Sequence, residues 1–450
     1  MSLRLSKRSL WILGVLAVAQ VSVAAPADTS VSVLDAPVAT ASQSRRIVAV
    51  GDIHGAFDEL TSILQETGLI DEELRWSGGD AIFVQTGDFT DRGPNVRRCM
   101  DLLMRLQQEA PDAGGEAIVL LANHEVMNLV SAVRDVALVE YAAFVDDDSA
   151  RRQDEAFEGW AEIRAQRARA AGDPEPPLGD DVRAAWEVQY PLGYSERMDA
   201  FGPQGTYGRW LRELPTAARI GDILFMHAGV SPALADRTVD QINEQVWTET
   251  GLFDDVKAEM VNRDLITPNA KIEEIVAIAH TELGRILAAS DRASGAASND
   301  REARFAESLQ LVANVSRWQL LDENGFLWFR GWAMWTDADQ DVVAEVLGRQ
   351  GVSHIVVAHT TQLDGTIKAR FTGGVFLIDT GMLTAHYGGR PSALEIVDGR
   401  FTAIYVGERV ELFRQGALPT SRRRTLVLKT NVAQNAAVTK AQRQAPAKSR

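Results

Sequence analysis

Apolar residues fall along this chain in short unbroken blocks, and the stretches between the first few blocks repeat at helical spacing. Arg46-Ile47-Val48-Ala49-Val50 reads as a buried strand, since a strand covered on both faces has no polar alternation. Phe57, Leu60, Ile63 and Leu64 recur at helical spacing and predict a helix from Phe57 to Glu66. The second strand is Ala81 to Gln85, a helix from Val96 to Gln108 follows it, and the third strand is Ala117 to Leu121. Two successive βαβ units result, and such crossovers are right-handed almost without exception.

The rhythm breaks over residues 133–215, which are rich in Ala, Arg, Glu and Asp and are punctuated by Pro174, Pro176 and Pro177. This segment reads as a helical insertion over one side of the scaffold. Strand character returns at Ile223 to Met226, and a second helical insertion is expected near 250–315. Blocks at Ile355 to Ala358 and Val375 to Ile378 rebuild the core, and alternating runs at Ala393 to Val397 and Phe401 to Val406 finish the sheet. No repeat of solenoid type is present.

The ends differ from this body. Arg4, Lys7 and Arg8 precede an apolar run from Leu10 to Val21, and Ala24, Ala25 and Ala27 follow, which is the layout of a secretory signal peptide over residues 1–27. The run is short for a membrane span, so export to the periplasm or the medium, with no stable span after cleavage, is expected. Residues 28–45 read as a linker, 46–415 as the folded domain and 416–450 as a basic, disordered tail. Of the net charge of −16, the first 27 residues carry +3 and residues 421–450 carry +8, leaving −27 on the body between. A body so acidic repels a phosphate backbone, which argues against nucleic acid as a partner. With Cys99 as the single cysteine no internal disulfide can form, and Cys99 reads as a small packed hydrophobe.

Chemistry gathers where the strands end. Gly51-Asp52-Ile53-His54-Gly55, Gly87-Asp88-Phe89-Thr90-Asp91-Arg92-Gly93 and Ala122-Asn123-His124-Glu125 each follow a strand block, and Asp52, Asp88 and Asn123 are 36 and 35 residues apart. That is the length of a strand, a helix and a return, and it sets three loops side by side at the carboxyl ends of neighbouring strands. His227-Ala228-Gly229 and His359-Thr360 follow later strand blocks in the same way. Asp, His and Asn donors suit manganese, iron or zinc. A pair of divalent ions needs a carboxylate to bridge them, and Asp88 stands on the middle loop. Asp52 and His54 would complete one ion's protein ligands, and Asn123, His227 and His359 the other's. His280 and His354 read as packed or surface residues, and Trp318, Trp328, Trp332 and Trp335 as core.

These runs together resemble the calcineurin-like metallophosphoesterases. Asp91-Arg92-Gly93 and Asn123-His124-Glu125 are more narrowly similar to the phosphoprotein phosphatase family. Gly205-Thr206-Tyr207-Gly208-Arg209-Trp210-Leu211, Leu327-Trp328-Phe329-Arg330-Gly331 and Tyr387-Gly388-Gly389 resemble its bacterial-type, Shewanella-like branch. The resemblance covers roughly residues 46–406. It implies an α/β sandwich of two mixed β-sheets flanked by helices, with helical insertions. It also implies a dinuclear phosphomonoesterase in which a metal-bound hydroxide attacks phosphorus, Arg92 and Arg330 clamp the phosphate oxygens, His124 protonates the leaving oxygen and Asp91 orients His124. The substrate would be a phosphorylated protein, peptide or small phosphate ester, and His386 and Tyr387 would lie near its entrance. A dinucleoside polyphosphate or pyrophosphate hydrolase on the same scaffold, and a non-catalytic envelope binding protein, are the rival readings. The family usually has glycine where Ala122 stands, so a small displacement of that loop is expected.

Overall fold

The computed structural model describes residues 45–292 and 300–416, so the expected signal peptide, nearly all of the linker and nearly all of the basic tail lie outside the described residues. The strands are β1 (Ile47–Val50), β2 (Ile82–Gln85), β3 (Glu116–Val119), β4 (Ala217–Ile220), β5 (Ile223–Met226), β6 (His354–Val357), β7 (Lys368–Arg370), β8 (Val375–Leu377), β9 (Ser392–Val397), β10 (Arg400–Tyr405) and β11 (Glu408–Arg414). They form a six-stranded sheet in the order β11-β10-β9-β1-β2-β3 and a five-stranded sheet in the order β4-β5-β6-β8-β7. Both sheets are mixed. β1, β2 and β3 are parallel, as are β5, β6 and β8, and the remaining pairings are antiparallel.

Alternate residues of each central strand serve two different cores. Ile47, Ala49, Ile82 and Val84 of the first sheet pack with Phe225, Val356 and Phe376 of the second in a layer between the sheets. The Phe376 and Phe401 rings stack 4.3 Å apart within that layer, joining β8 to β10. Val48, Val50, Phe83, Val357 and Leu377 point the other way, into the helices. Because both faces are covered, the sequence of these strands carries no polar alternation.

Helices α1 (Phe57–Glu66) and α2 (Val96–Glu109) are the two crossovers, and α3 (Asn123–Leu129) leaves β3. Between β3 and β4 lie α4 (Leu138–Ala142), α5 (Ser149–Ala171), α6 (Asp180–Gln189), α7 (Tyr194–Phe201) and α8 (Thr206–Glu213). Between β5 and β6 lie α9 (Val239–Asn262), α10 (Ile272–Arg292), α11 (Asp300–Ala313), α12 (Gly331–Met334) and α13 (Gln340–Gln350), and α14 (Thr384–Tyr387) precedes β9. None of the described helices is long and apolar enough to cross a membrane.

Several boundaries differ from the sequence reading. The second helical stretch begins at Val239 rather than near 250, because Thr238 and Gln241 form a reciprocal capping box: the Thr238 hydroxyl accepts from the Gln241 amide at 3.2 Å and the Gln241 side chain from Thr238 at 3.1 Å. A third antiparallel strand, β11, follows the two expected at the end of the first sheet. The edge strands β4 and β7 escaped notice because Ala217-Ala218-Arg219-Ile220 and Lys368-Ala369-Arg370 are short and partly polar, as exposed sheet edges tend to be.

Candidate metal centre

The site straddles the two sheets. The loops after β1, β2 and β3 bring Asp52 and His54, Asp88, and Asn123 from the first sheet, while the loops after β5 and β6 bring His227 and His359 from the second. His54, Asp88, Asp91, Arg92 and His359 all hold positive φ, between 48° and 66°. Left-handed backbone is unfavourable for non-glycine residues and is retained where surrounding contacts fix it. Here one fixing group is Glu125, whose buried carboxylate accepts from the amides of Asp88 (2.9 Å), Phe89 (3.0 Å) and Thr90 (3.0 Å) and from the Thr90 hydroxyl (2.9 Å). The Ile53 and His54 amides both donate to the Asp88 carbonyl at 2.9 Å, tying the first loop to the second.

Each histidine is oriented by its outward nitrogen. His54 Nδ1 donates to the Thr90 carbonyl (2.9 Å), His227 Nδ1 to Thr86 (3.1 Å) and His359 Nε2 to Trp328 (3.1 Å). The opposite nitrogens are therefore lone-pair donors aimed inward. Asp88 belongs to two donor groups, one with His54 and His124 and one with His227 and His359, within each of which the donor atoms lie within 4.8 Å of one another. His227 Nε2 lies 3.2 Å from Asp88 Oδ2 and 3.0 Å from His359 Nδ1. Two lone pairs and a carboxylate at such distances repel unless a cation lies among them. The Asn123 Oδ1 is buried without a hydrogen-bond partner, which fits a further oxygen ligand. Asp52 Oδ2 is 3.8 Å from His54 Nε2, and Asp52 Oδ1 accepts from the His359 amide at 3.2 Å.

Electrostatics point the same way. Burial, with the charges of Asp379 and Asp88, pushes the Asp52 carboxyl well above its usual range, so an ionised carboxylate here calls for positive charge. Burial lowers His54 to about 3 despite the nearby Asp88, and burial with His227 and Arg330 holds His359 well below its ordinary value. Both imidazoles are thus neutral, the form that binds metal. The residues present fit a pair of divalent ions bridged by Asp88, with Asp52 and His54 on one side and Asn123, His227 and His359 on the other.

Of the remaining expected residues, Arg92, His124 and Arg330 line one cleft, a cavity of about 630 Å³, and Asp91 is fully buried behind His124. Arg92 donates from Nη1 to His54 Nε2 and from Nη2 to His124 Nε2, both at 2.9 Å. His124 Nδ1 is 2.7 Å from Asp91 Oδ2. Burial alone would lower His124, but the Asp88 charge and the Asp91 hydrogen bond outweigh it and raise the imidazole to about 8. Arg330 also lines the cleft, with Nη1 donating to the His359 carbonyl (3.0 Å) and the Thr360 hydroxyl (3.1 Å). His386 and Tyr387 line the cleft. His280 is exposed on α10, and His354 is buried on β6, Nδ1 donating to the Gly373 carbonyl at 2.8 Å.

Trp318 and Trp332 are core, whereas Trp328 lines the cleft and its carbonyl holds His359, so reading it purely as core is corrected. Sequence reasoning also missed Arg134 and Thr361 in the cleft wall, Glu125 as a loop anchor, and Asp379, which accepts from the Thr361 hydroxyl at 2.7 Å beside Asp52. For Glu125 and Asp379 a signal was present, since each stands in or beside a strand-end motif. Ala122 has an extended backbone (φ −121°, ψ −175°) that any residue adopts, so its methyl group introduces no strain. A larger cavity of about 750 Å³, lined by Asn128, Ser131, Arg212 and Lys257 among others, shares no lining residue with this cleft and reaches the site only through Asn128, which donates to Asp91 and to the His124 carbonyl.

Comparison with known proteins bears on the same residues. Shewanella-like protein phosphatase 2 of Arabidopsis thaliana is 29% identical over 213 residues, 45% of this chain and 50% of the plant protein. Shewanella-like protein phosphatase 1 of Plasmodium berghei is 26% identical over 199 residues, 44% of this chain and 42% of that protein. The chain thus spans half or less of these two relatives, whereas an uncharacterized Schizosaccharomyces pombe protein is 25% identical over 373 residues and matched over 82% of its length. Among solved structures, the cold-active protein tyrosine phosphatase of a psychrophilic Shewanella species superposes with a TM-score of 0.50 at 23% identity, covering 82% of this chain and 80% of that one, which shows a shared fold. The model of the calcineurin-like phosphoesterase family matches residues 45–362, a span that holds every donor from Asp52 to His359, and the chain belongs to that family.

Proposed function

We propose that this protein is a dinuclear, metal-dependent phosphomonoesterase of protein-phosphatase type, acting on phosphorylated proteins or peptides. The observation that carries this reading is Asp88, shared between two groups of inward-facing donors, with a guanidinium fork beside it. Two divalent ions in such a site would make water nucleophilic near neutral pH and offset charge on the phosphoryl oxygens. Arg92 has a planar pair of donors suited to phosphate oxygens, and Arg330 lines the same cleft. When a phosphate draws the Arg92 fork away, His124 Nε2 is free to carry a proton. The Asp91 hydrogen bond favours the protonated imidazole and so keeps that proton available for the departing oxygen. Asp91 holds the opposite nitrogen and so aims Nε2 into the cleft.

Manganese, iron and zinc all suit this donor set. Phosphotyrosine stands beside phosphoserine and phosphothreonine as a substrate class, in keeping with the tyrosine phosphatase that shares the fold. Export to the periplasm or the medium is part of the proposal and rests on the amino-terminal leader pattern. The test is a panel of Ser-, Thr- and Tyr-phosphorylated peptides beside a dinucleoside polyphosphate and pyrophosphate, before and after chelation and manganese repletion. Phosphomonoester hydrolysis removed by chelator and restored by manganese is expected. Much faster cleavage of the phosphoanhydrides, or bound metal with no turnover on any ester, would overturn it.

A further inference from the structure

Behind the Asp91–His124 pair runs a buried polar chain that the mechanism above leaves unused. Arg197 on α7 and Glu140 on α4 are both 0% exposed, and Arg197 lies against the rings of Phe201 (4.2 Å) and Tyr141 (5.7 Å). Glu140 Oε1 accepts from Arg197 Nε at 2.7 Å and lies 2.6 Å from Nη2. The same Nη2 donates to Asn128 Oδ1 at 2.7 Å. On the other side of that amide, Asn128 Nδ2 donates to Asp91 Oδ1 at 2.9 Å and to the His124 carbonyl at 2.8 Å.

The donor and acceptor inventory makes this chain directional. Asn128 could face Asp91 with either its oxygen or its nitrogen, and the oxygen would meet two acceptors, the Asp91 carboxylate and the His124 carbonyl. Arg197 has donors only, so it forces the oxygen toward itself and the NH2 toward Asp91. With Oδ1 of Asp91 engaged, Oδ2 is left for His124 Nδ1. The Arg197 Nη2 lies 3.8 Å from Asp91 Oδ1, and its charge offsets the burial of that carboxylate. A buried ion pair is weak as a source of stability, and one on two helices between β3 and β4 is accounted for by what it holds.

We propose that Arg197, held by Glu140, is a positioning residue for the proton donor: it fixes the Asn128 amide and, through it, the Asp91 carboxylate that orients His124. This rests on His124 acting as the acid. A residue that only supports an acid matters most when the leaving oxygen is strongly basic. A phosphoserine peptide needs that proton, whereas p-nitrophenyl phosphate, with its weakly basic leaving group, needs it little.

The test compares kcat on these two substrates for wild type, His124→Gln, Arg197→Lys and the pair Arg197→Met/Glu140→Leu, which replaces the buried charges with apolar groups of similar bulk. Since a positioned acid contributes about 10²–10⁴-fold, the paired variant should lose roughly 10- to 100-fold on the phosphoserine peptide and stay within about threefold on the aryl ester, with KM unchanged. Arg197→Lys, which keeps the charge but not the fork, should fall between, and it carries the test alone if thermal melting finds the paired variant unfolded. Recorded above pH 8, where the imidazole is neutral, nitrogen-15 histidine spectra should move from a single Nδ1-protonated His124 tautomer to a mixture in the Arg197 variants. Equal losses on both substrates with an unchanged His124 spectrum, while His124→Gln remains selective, would overturn the inference. A His124→Gln variant with no selectivity would instead overturn His124 as the acid.

Discussion

A single methyl group at Gly87 should separate the loops that supply Asp88 and Asn123. Gly87 has φ +92°, and a Cβ built there would lie 2.2 Å from the Cβ of Ala122. Left-handed backbone costs about 1–2 kcal/mol for a residue with a Cβ. Overpacking in a closed site adds about 1–3 kcal/mol. Gly87→Ala is therefore expected to destabilise the fold by about 2–5 kcal/mol. Ala122→Gly alone should cost about 1–2 kcal/mol, through one lost buried methyl and a looser unfolded chain. In the double variant the overlap is gone and the backbone term remains, so the two changes should be non-additive by about 1–3 kcal/mol. Urea unfolding of the four proteins measures this, and phosphatase activity should recover in the same direction, because residues 87 and 122 immediately precede Asp88 and Asn123. Additivity within about 0.5 kcal/mol would refute the argument that the two loops meet through these positions.

Two further outcomes follow from other parts of the molecule. Arg92→Lys cannot span His54 and His124 with paired donors, so kcat/KM should fall roughly 10- to 100-fold and inorganic phosphate should inhibit more weakly, with folding intact; a change under about twofold would contradict the fork's role. Burial lowers Lys257, which donates to the Ser131 hydroxyl at 2.9 Å, to about 8 from its ordinary 10.5. Its folded pKa lies below its unfolded one, so its contribution is fully present above about pH 10.5 and is lost as pH falls through 8. Relative to wild type, Lys257→Met should gain about 2–3 kcal/mol between pH 10.5 and pH 8 in urea unfolding and no more below that, and a pH-independent difference would contradict this.

Of the strands that carry the donors, β1, β2, β5 and β6 were legible because they are covered on both faces and so appear as plain apolar blocks, each ending in a small or polar turn. Helix α1 was legible to its boundaries, since Phe57, Leu60, Ile63 and Leu64 are its buried face. The division of those strands between two sheets was not visible from strand blocks alone, because each sheet repeats the same local pattern. Glu125 stood in a motif already noticed, yet its part in anchoring the backbone of Asp88, Phe89 and Thr90 depends on contacts 35 to 37 residues away. The Arg197–Asn128 contact joins residues 69 apart, with α4, α5 and α6 between them, and no period points from one to the other. Trp328 shows the same gap: its ring composition reads as core, but its backbone carbonyl serves His359.

The central claim is a pair of divalent ions bridged by Asp88, and counting them tests it most directly. Elemental analysis of the purified, manganese-repleted protein should find two ions per chain, and Asp88→Asn should lose most of both, because the bridge belongs to each donor group. Full retention of two ions in Asp88→Asn, or one ion in a fully active wild-type protein, would contradict the account.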